Sequence, residues 1–288
     1  MPNVPIIDTH VHLYDPARLD YPWLESVPAI QGAFLMPEFD RARGAIEIEI
    51  EGIVFAEVDA APGRALDEAH FVDELAEEDS RIRGIIASAP VELGAAVAED
   101  LERLRAIPRV KAVRRLIQGH ADPAYCLRPP FVEGVREVGK AGLAFDICIY
   151  HSQLASATEL VRRCPDMAFV LDHIAKPPIA AGGREPWAAE MRALAELPNV
   201  TVKISGVVTE ADHANWRPDE IRPYIDHTIE CFGFERVMFG SDWPVVNLAS
   251  SYQAWVEMLD GFLAGVSQAD IRRFYRDNAL KTYALAAA

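Results

Sequence analysis

IIDTHVH, residues 6–12, opens as a β-rich apolar run and closes on two histidines two residues apart. Side chains on a strand alternate faces with period two, so His10 and His12 point the same way and can share a metal ion or a substrate. Seven further runs of the same kind follow: GIVFAEV (52–58), IRGIIAS (82–88), VKAVRRL (110–116), AFDICIY (144–150), AFVLDHI (168–174), VTVKISG (200–206) and VMFGSDW (237–243). From Ile6 to Val237 the mean spacing is 33 residues, the length of one strand–helix unit. Between the runs lie segments with apolar residues at three- and four-residue spacing, such as ALDEAHFVDELAEED, AAVAEDLERLRAI, ATELVRRC and PYIDHTIECF, which predict helices. Parallel strands covered on both faces read as continuous Val/Ile runs, as most of these do. The fold class is therefore α/β, and eight such units predict one closed (β/α)8 barrel of the TIM type spanning 1–288, ahead of an open doubly wound sheet.

Outward from the strands, two segments exceed what a barrel needs. Residues 13–51 carry Tyr14, Tyr21, Trp23, Phe34 and Phe39 among several prolines, and 117–130 read IQGHADPAYCLRPP. Long ordered connections at the C-terminal ends of barrel strands commonly wall a pocket, and Trp23 is a candidate for contact with substrate. The tail SQADIRRFYRDNALKTYAL starts with the cap pair Ser267 and Asp270 and predicts a last helix closing the barrel floor.

The chain has 288 residues, 28 Lys+Arg against 44 Asp+Glu, and a net charge of −16. That balance repels phosphate and anionic lipid, so neither nucleic acid nor a membrane surface is an expected partner, and a neutral or cationic small molecule is easier to bind. MPNVPIIDTHVHLYD has no basic, apolar leader pattern, and no apolar run of about 18 residues occurs anywhere; a cytoplasmic location is the expectation. Oligomeric state is left open. Cys126, Cys148, Cys164 and Cys231 form no CxxC pair and read as reduced core thiols.

In a barrel of this kind chemistry collects at the C-terminal strand ends. Strand one ends in Asp8-Thr9-His10-Val11-His12, strand five leads into His151, strand six ends in Asp172-His173, and strand eight ends in Ser241-Asp242-Trp243. A lone histidine means little, but coincidence across four strands is harder. Asp8 and Asp172 read as strand-end structural partners. His70 and His227 fall inside predicted helices and read as structural, whereas His120 and His213 lie in connections. Ser205 is no hydrolase nucleophile, because GxSxG is absent around it.

DTHVHLYD (8–15), VRR (113–115), DHIAKP (172–177) with Pro186-Trp187, KISG (203–206) and FGFERVMFGSDWPV (232–245) in this order resemble the amidohydrolase superfamily, and within it the amidohydrolase-2 branch that includes the sugar lactonases. The resemblance runs almost the whole chain, to NALKTY. It implies hydrolysis of a sugar lactone, the substrate and small-molecule partner expected here. A metal-dependent decarboxylase of the same superfamily and a catalytically silent sugar-binding barrel are the alternatives.

The resemblance makes Asp242 the candidate general base and His173 the group that orients or protonates a substrate oxygen. It makes Arg114 the donor to the developing oxyanion, ahead of Arg115 on the other face, and His151 a ligand or hydroxyl-binding donor. His10 and His12 become substrate donors if no metal is bound, and Trp243, like Trp187 and Tyr150, a pocket wall. Lys203 reads as a partner for a neighbouring carboxylate or a direct participant. Binuclear members carry a bridging Lys or Glu on strand four, where this chain has Arg114-Arg115; arginine stays protonated and offers only donors, so at most one metal ion is expected. Should it be zinc, the ligands are His10 and His12 with His151 or Asp242; no organic cofactor is expected.

Overall fold

A computed structural model describes residues 2–44 and 46–286. Its eight parallel strands are β1 (Ile6–Val11), β2 (Ile50–Ala56), β3 (Ile82–Ser88), β4 (Val110–Leu116), β5 (Ala144–Cys148), β6 (Phe169–Leu171), β7 (Val200–Ile204) and β8 (Val237–Phe239). They form one sheet in sequential order, each strand hydrogen-bonded to the next. The sheet nearly closes on itself beyond β8, where Val11 pairs with Trp243 and His12 N–H donates to the Trp243 carbonyl at 2.7 Å. Helices surround the sheet, among them Ala65–Glu78, Pro129–Lys140, Leu154–Arg163 and Pro218–Phe232, giving the (β/α)8 barrel that the strand spacing predicts. No helix among the described residues is long and apolar enough to cross a membrane.

All eight strands fall inside or within two residues of their expected places. The two that are much shorter, β6 and β8, stop early for one reason: the chain beyond each enters left-handed backbone, at His173 and at Asp242 (φ 53° and 62°). The four cysteines are free.

Inside the barrel the side chains are stratified. Ile7, Val54, Ile86, Ala112, Ala144, Val170 and Met238 form an apolar floor, closed from below by Ala279, Tyr283 and Leu285 of the tail. That tail is three short helical pieces, Gln268–Arg272, Arg273–Asp277 and Asn278–Thr282, the first capped by Ser267 Oγ on Asp270 N–H (3.2 Å). Two residues further along their strands, Ala112, Ala144 and Val170 give way to Arg114, Asp146 and Asp172, so the layer above the floor is ionic and almost wholly buried. A second, outer core lies between the strands and the helices. The long 13–51 connection is pinned by reciprocal backbone bonds between Tyr14 and Phe34 (both 2.9 Å) and by Tyr14 Oη donating to the Ile30 carbonyl (2.6 Å).

Candidate active site

The strand-one histidines do meet the strand-eight aspartate. His12 Nδ1 lies 2.8 Å from the Ala56 carbonyl, which can only accept, so Nδ1 carries the proton and Nε2 offers a lone pair. That lone pair faces Asp242 Oδ1 at 3.2 Å, and His10 Nε2 stands 3.7 Å from the same oxygen. His10 lies between two cations: Arg114 Nη1 is 3.2 Å from its Nε2 and Lys203 Nζ 3.3 Å from its Nδ1, with Asp172 Oδ1 3.4 Å from that same Nδ1. His10 Nε2, His12 Nε2 and Asp242 Oδ1 thus come together at one point. Such a donor set asks for a cation, either a proton or a metal ion, and His10, His12 and Asp242 are close enough together to ligate one. A second grouping, His10 with Asp172 and His173, fits a metal less well because Lys203 (3.0 Å) and Arg114 (3.4 Å) already neutralise Asp172.

Burial alone would raise the Asp242 carboxyl, but the surrounding imidazoles of His173, His12 and His10 hold it well below the usual carboxylate range. It is ionised at any working pH. Its seat is made by Gly206, the glycine of KISG: a Cβ there would come within 2.3 Å of Asp242 Oδ2, and the residue's φ of +60° is itself left-handed.

His173 sits in an unusual turn. His173, Ile174, Ala175 and Lys176 all have positive φ (53°, 48°, 61° and 47°), although none is glycine. Each such residue costs about 1–2 kcal/mol, and for β-branched Ile174 the conformation is a true outlier. Two bonds hold the turn: Lys176 N–H to the His173 carbonyl (2.9 Å) and Trp187 Nε1 to the Ile174 carbonyl (2.8 Å), which explains why DHIAKP and the later Trp occur together. His173 Nδ1 lies 3.1 Å from the Ser205 carbonyl and 2.9 Å from Ser205 Oγ, and burial pushes the imidazole down to about 4. It is therefore neutral near pH 7, with Nε2 an acceptor. It can orient a hydroxyl or a water; it does not hold a proton to give, as one of its two expected roles requires.

Arg114 also differs from expectation. Its Nε donates to Glu57 Oε1 at 2.7 Å, Nη2 donates to the Glu57 carbonyl, and Nη1 is shared between His10 Nε2 and Asp172 Oδ2. The side chain is buried, and four of its five N–H groups are engaged, so it is poorly placed to stabilise an oxyanion on substrate. Arg115 points elsewhere and pairs with Glu92 (3.0 Å).

His151 begins a short 3-10 turn after β5 and belongs to neither metal-capable cluster of the described residues. Trp243 is 1% exposed and packs edge-on against Phe34 and Phe39, so it buttresses the site from behind. Trp23 lines a cavity of about 740 Å³ together with Asp59, Ser88 and Arg115, on the loops that follow β1 to β4.

Sequence reasoning missed Glu57, Asp146 and Lys176 as members of the site. Lys203, fully buried, joins Asp146 Oδ2 (2.6 Å) to Asp172 Oδ1 and lies 3.3 Å from His10 Nδ1, while Tyr283 Oη donates to Asp146 Oδ2 from the floor (2.8 Å). Polar residues centred in apolar strands were the available signal, since burial of Asp146 between Phe145 and Ile147 demands a partner.

A barrel with this mouth defines a hydrolytic or metal-assisted enzyme. The amidohydrolase family matches residues 7–285, and the chain belongs to it; it is a hydrolase. It is 30% identical over 293 residues to an L-fucono-1,5-lactonase of Burkholderia multivorans, covering 97% of this chain and 96% of that one. An L-rhamnono-gamma-lactonase of Scheffersomyces stipitis is 24% identical over 336 residues, 98% of this chain and 99% of that one. A solved amidohydrolase from Burkholderia multivorans with bound zinc superposes with a TM-score of 0.87 at 28% identity, covering 98% of this chain and 100% of that one.

Proposed function

We propose that the protein hydrolyses a sugar lactone of the L-fuconolactone kind to the open aldonic acid. The observation that carries this reading is the convergence of His10 Nε2, His12 Nε2 and Asp242 Oδ1 at the barrel mouth, an ionised carboxylate set among imidazoles that can place and deprotonate water. The sugar-lactonase names of full-length relatives supply the substrate class. A cavity of about 740 Å³ with Asp59, Ser88 and an indole on its walls suits one hydroxylated ring. Arg114, Arg115 and Arg128 are each committed to a carboxylate (Glu57, Glu92 and Asp122), which leaves no arginine pair among them for a dicarboxylate substrate.

In the reaction, Asp242 takes a proton from water as the water oxygen bonds to the lactone carbonyl carbon. The carbonyl electrons move onto its oxygen, return as the ring C–O bond breaks, and the leaving alkoxide takes the proton from Asp242. His173 Nε2 accepts a hydrogen bond from the water or a ring hydroxyl, and Arg114 and Lys203 flank the two ring nitrogens of His10 and fix its position. His10, His12 and Asp242 are the residues that would hold a single divalent ion, which when bound supplies Lewis-acid polarisation. The test is a panel of sugar lactones followed by proton release. Ring opening with acid production and no gas is expected; no turnover of any sugar lactone, or release of carbon dioxide from an aromatic acid, overturns the reading.

A further inference from the structure

Lactone opening builds negative charge on the acyl oxygen and ends in a carboxylate, so the site needs a cationic donor that is not already spent. Arg114 is bound to Glu57, Arg115 to Glu92, and Lys203 to Asp146 and Asp172. Lys176 is different. Among the described residues no carboxylate comes within ion-pair distance of its ammonium, which instead lies over the face of the Tyr150 ring at 5.5 Å. The groups that face it are Cys148 at the end of β5, Tyr150 just beyond it, Glu210 after β7 and Asp242 after β8. Burial by itself would lower the Lys176 pKa, but these acidic groups hold it above the ordinary lysine value, so the side chain stays charged.

Its backbone points the same way. Lys176 is the last of the four left-handed residues, and strain of this kind persists where the surroundings over-determine it and is concentrated at functional sites. In the ring of strands β6 lies across from β2, so Lys176 stands on the far side of the mouth from the cavity walled by the β1–β4 loops.

We propose that Lys176 is a catalytic residue of this site: its ammonium donates a hydrogen bond to the acyl oxygen as water adds, and then binds the carboxylate of the product. The ammonium keeps its protons throughout; Asp242 carries the one that is transferred. This inference rests on the lactone-hydrolase reading above.

The experiment compares wild type with Lys176→Gln, Lys176→Asn and Lys176→Arg, using L-fuconolactone as substrate and L-fuconate as product inhibitor. Asn tolerates left-handed backbone better than Lys, so Lys176→Asn should fold with a melting temperature at or above wild type and carries the test should the Gln variant misfold. The expected result is a kcat about a hundredfold lower in the Asn and Gln variants, KM changed less than about threefold, and L-fuconate inhibition weakened about tenfold or more, with Arg restoring part of each. A kcat within about threefold of wild type, or a loss confined to KM, overturns the role of Lys176 and leaves the lactone reading standing. A wild-type protein that opens no sugar lactone overturns both.

Discussion

Replacing Arg114 by Met separates two roles that the sequence alone leaves merged. Were Arg114 a donor to the oxyanion, the variant would lose rate and keep its stability. The structure points to a different outcome, because Arg114 is the counter-charge of Glu57, whose carboxylate is 1% exposed and otherwise accepts from the Asp59 N–H (2.8 Å). Stripping one partner from a buried ion pair costs about 3–5 kcal/mol, since the remaining charge is left without compensation. For 288 residues the unfolding entropy is roughly 0.6 kcal/mol per degree, so the melting temperature should fall by roughly 5–8 °C. The assay is thermal unfolding of four proteins: wild type, Arg114→Met, Glu57→Gln and the double variant. Arg114→Met should cost far less when combined with Glu57→Gln, where no orphan carboxylate remains, giving a coupling of about 2 kcal/mol or more. A cost of Arg114→Met below about 1 kcal/mol, or an equal cost in both backgrounds, refutes the assignment of Arg114 to the frame of the site.

Asp242→Asn keeps the shape and loses the base, so kcat should fall about a hundredfold to ten-thousandfold with an unchanged circular dichroism spectrum; near-normal rates would remove Asp242 from the mechanism. Metal analysis and zinc titration of chelated protein should find at most one divalent ion per chain, abolished by His12→Ala, and two ions at full occupancy would contradict a single site on His10, His12 and Asp242. Glu68 is buried, and desolvation together with the charge on Glu57 raises its carboxyl well above the ordinary value of 4.5. The folded state therefore binds that proton more tightly than the unfolded chain, so its contribution is complete below about pH 4.5 and is lost as pH rises through the raised value. Glu68→Gln, which keeps the acceptor for Val58 N–H, should gain stability over wild type progressively above about pH 4.5, and parallel pH–stability curves would show that Glu68 is not the titrating group.

The parts of the site legible in the sequence are those whose cause is local. Strand runs such as IIDTHVH and VKAVRRL stand out because both faces of a parallel barrel strand are covered, and His10, His12 and Asp242 follow from strand ends and period-two geometry. The rest depends on what lies across the barrel. Glu57 looks like the ordinary polar end of β2 until Arg114 arrives from β4, and Asp172 and Lys203 gain their meaning only when β6 and β7 bring them together. The left-handed turn at 173–176 has no glycine to announce it; its holder, Trp187, is eleven residues beyond Lys176. Trp243 sits in a motif that resembles a pocket wall, but Phe34 and Phe39 of the long first connection turn it into core.

Charge inside the barrel explains why the reacting groups lie at one end and why one cation is the natural complement. Below, the floor from Ile7 to Met238 is apolar, and the Tyr283 hydroxyl reaches up through it to Asp146. Above it, Glu57, Asp146, Asp172 and Asp242 are set against Arg114 and Lys203, while His173 and His10, both driven down by burial, contribute no charge. The carboxylates outnumber the two cations paired with them in a buried layer, where an uncompensated charge is costly. Burial lifts Asp146 to about 6 against the pull of Lys203. A single divalent ion between Asp242 and the two histidines would offset that excess, whereas a second would stand beside a permanent guanidinium with no carboxylate left to match it. The same imbalance makes the mouth inhospitable to a further anion unless a free cation waits there, and of Arg114, Arg115, Lys203 and Lys176, described around these strand ends, Lys176 alone has no carboxylate within ion-pair distance.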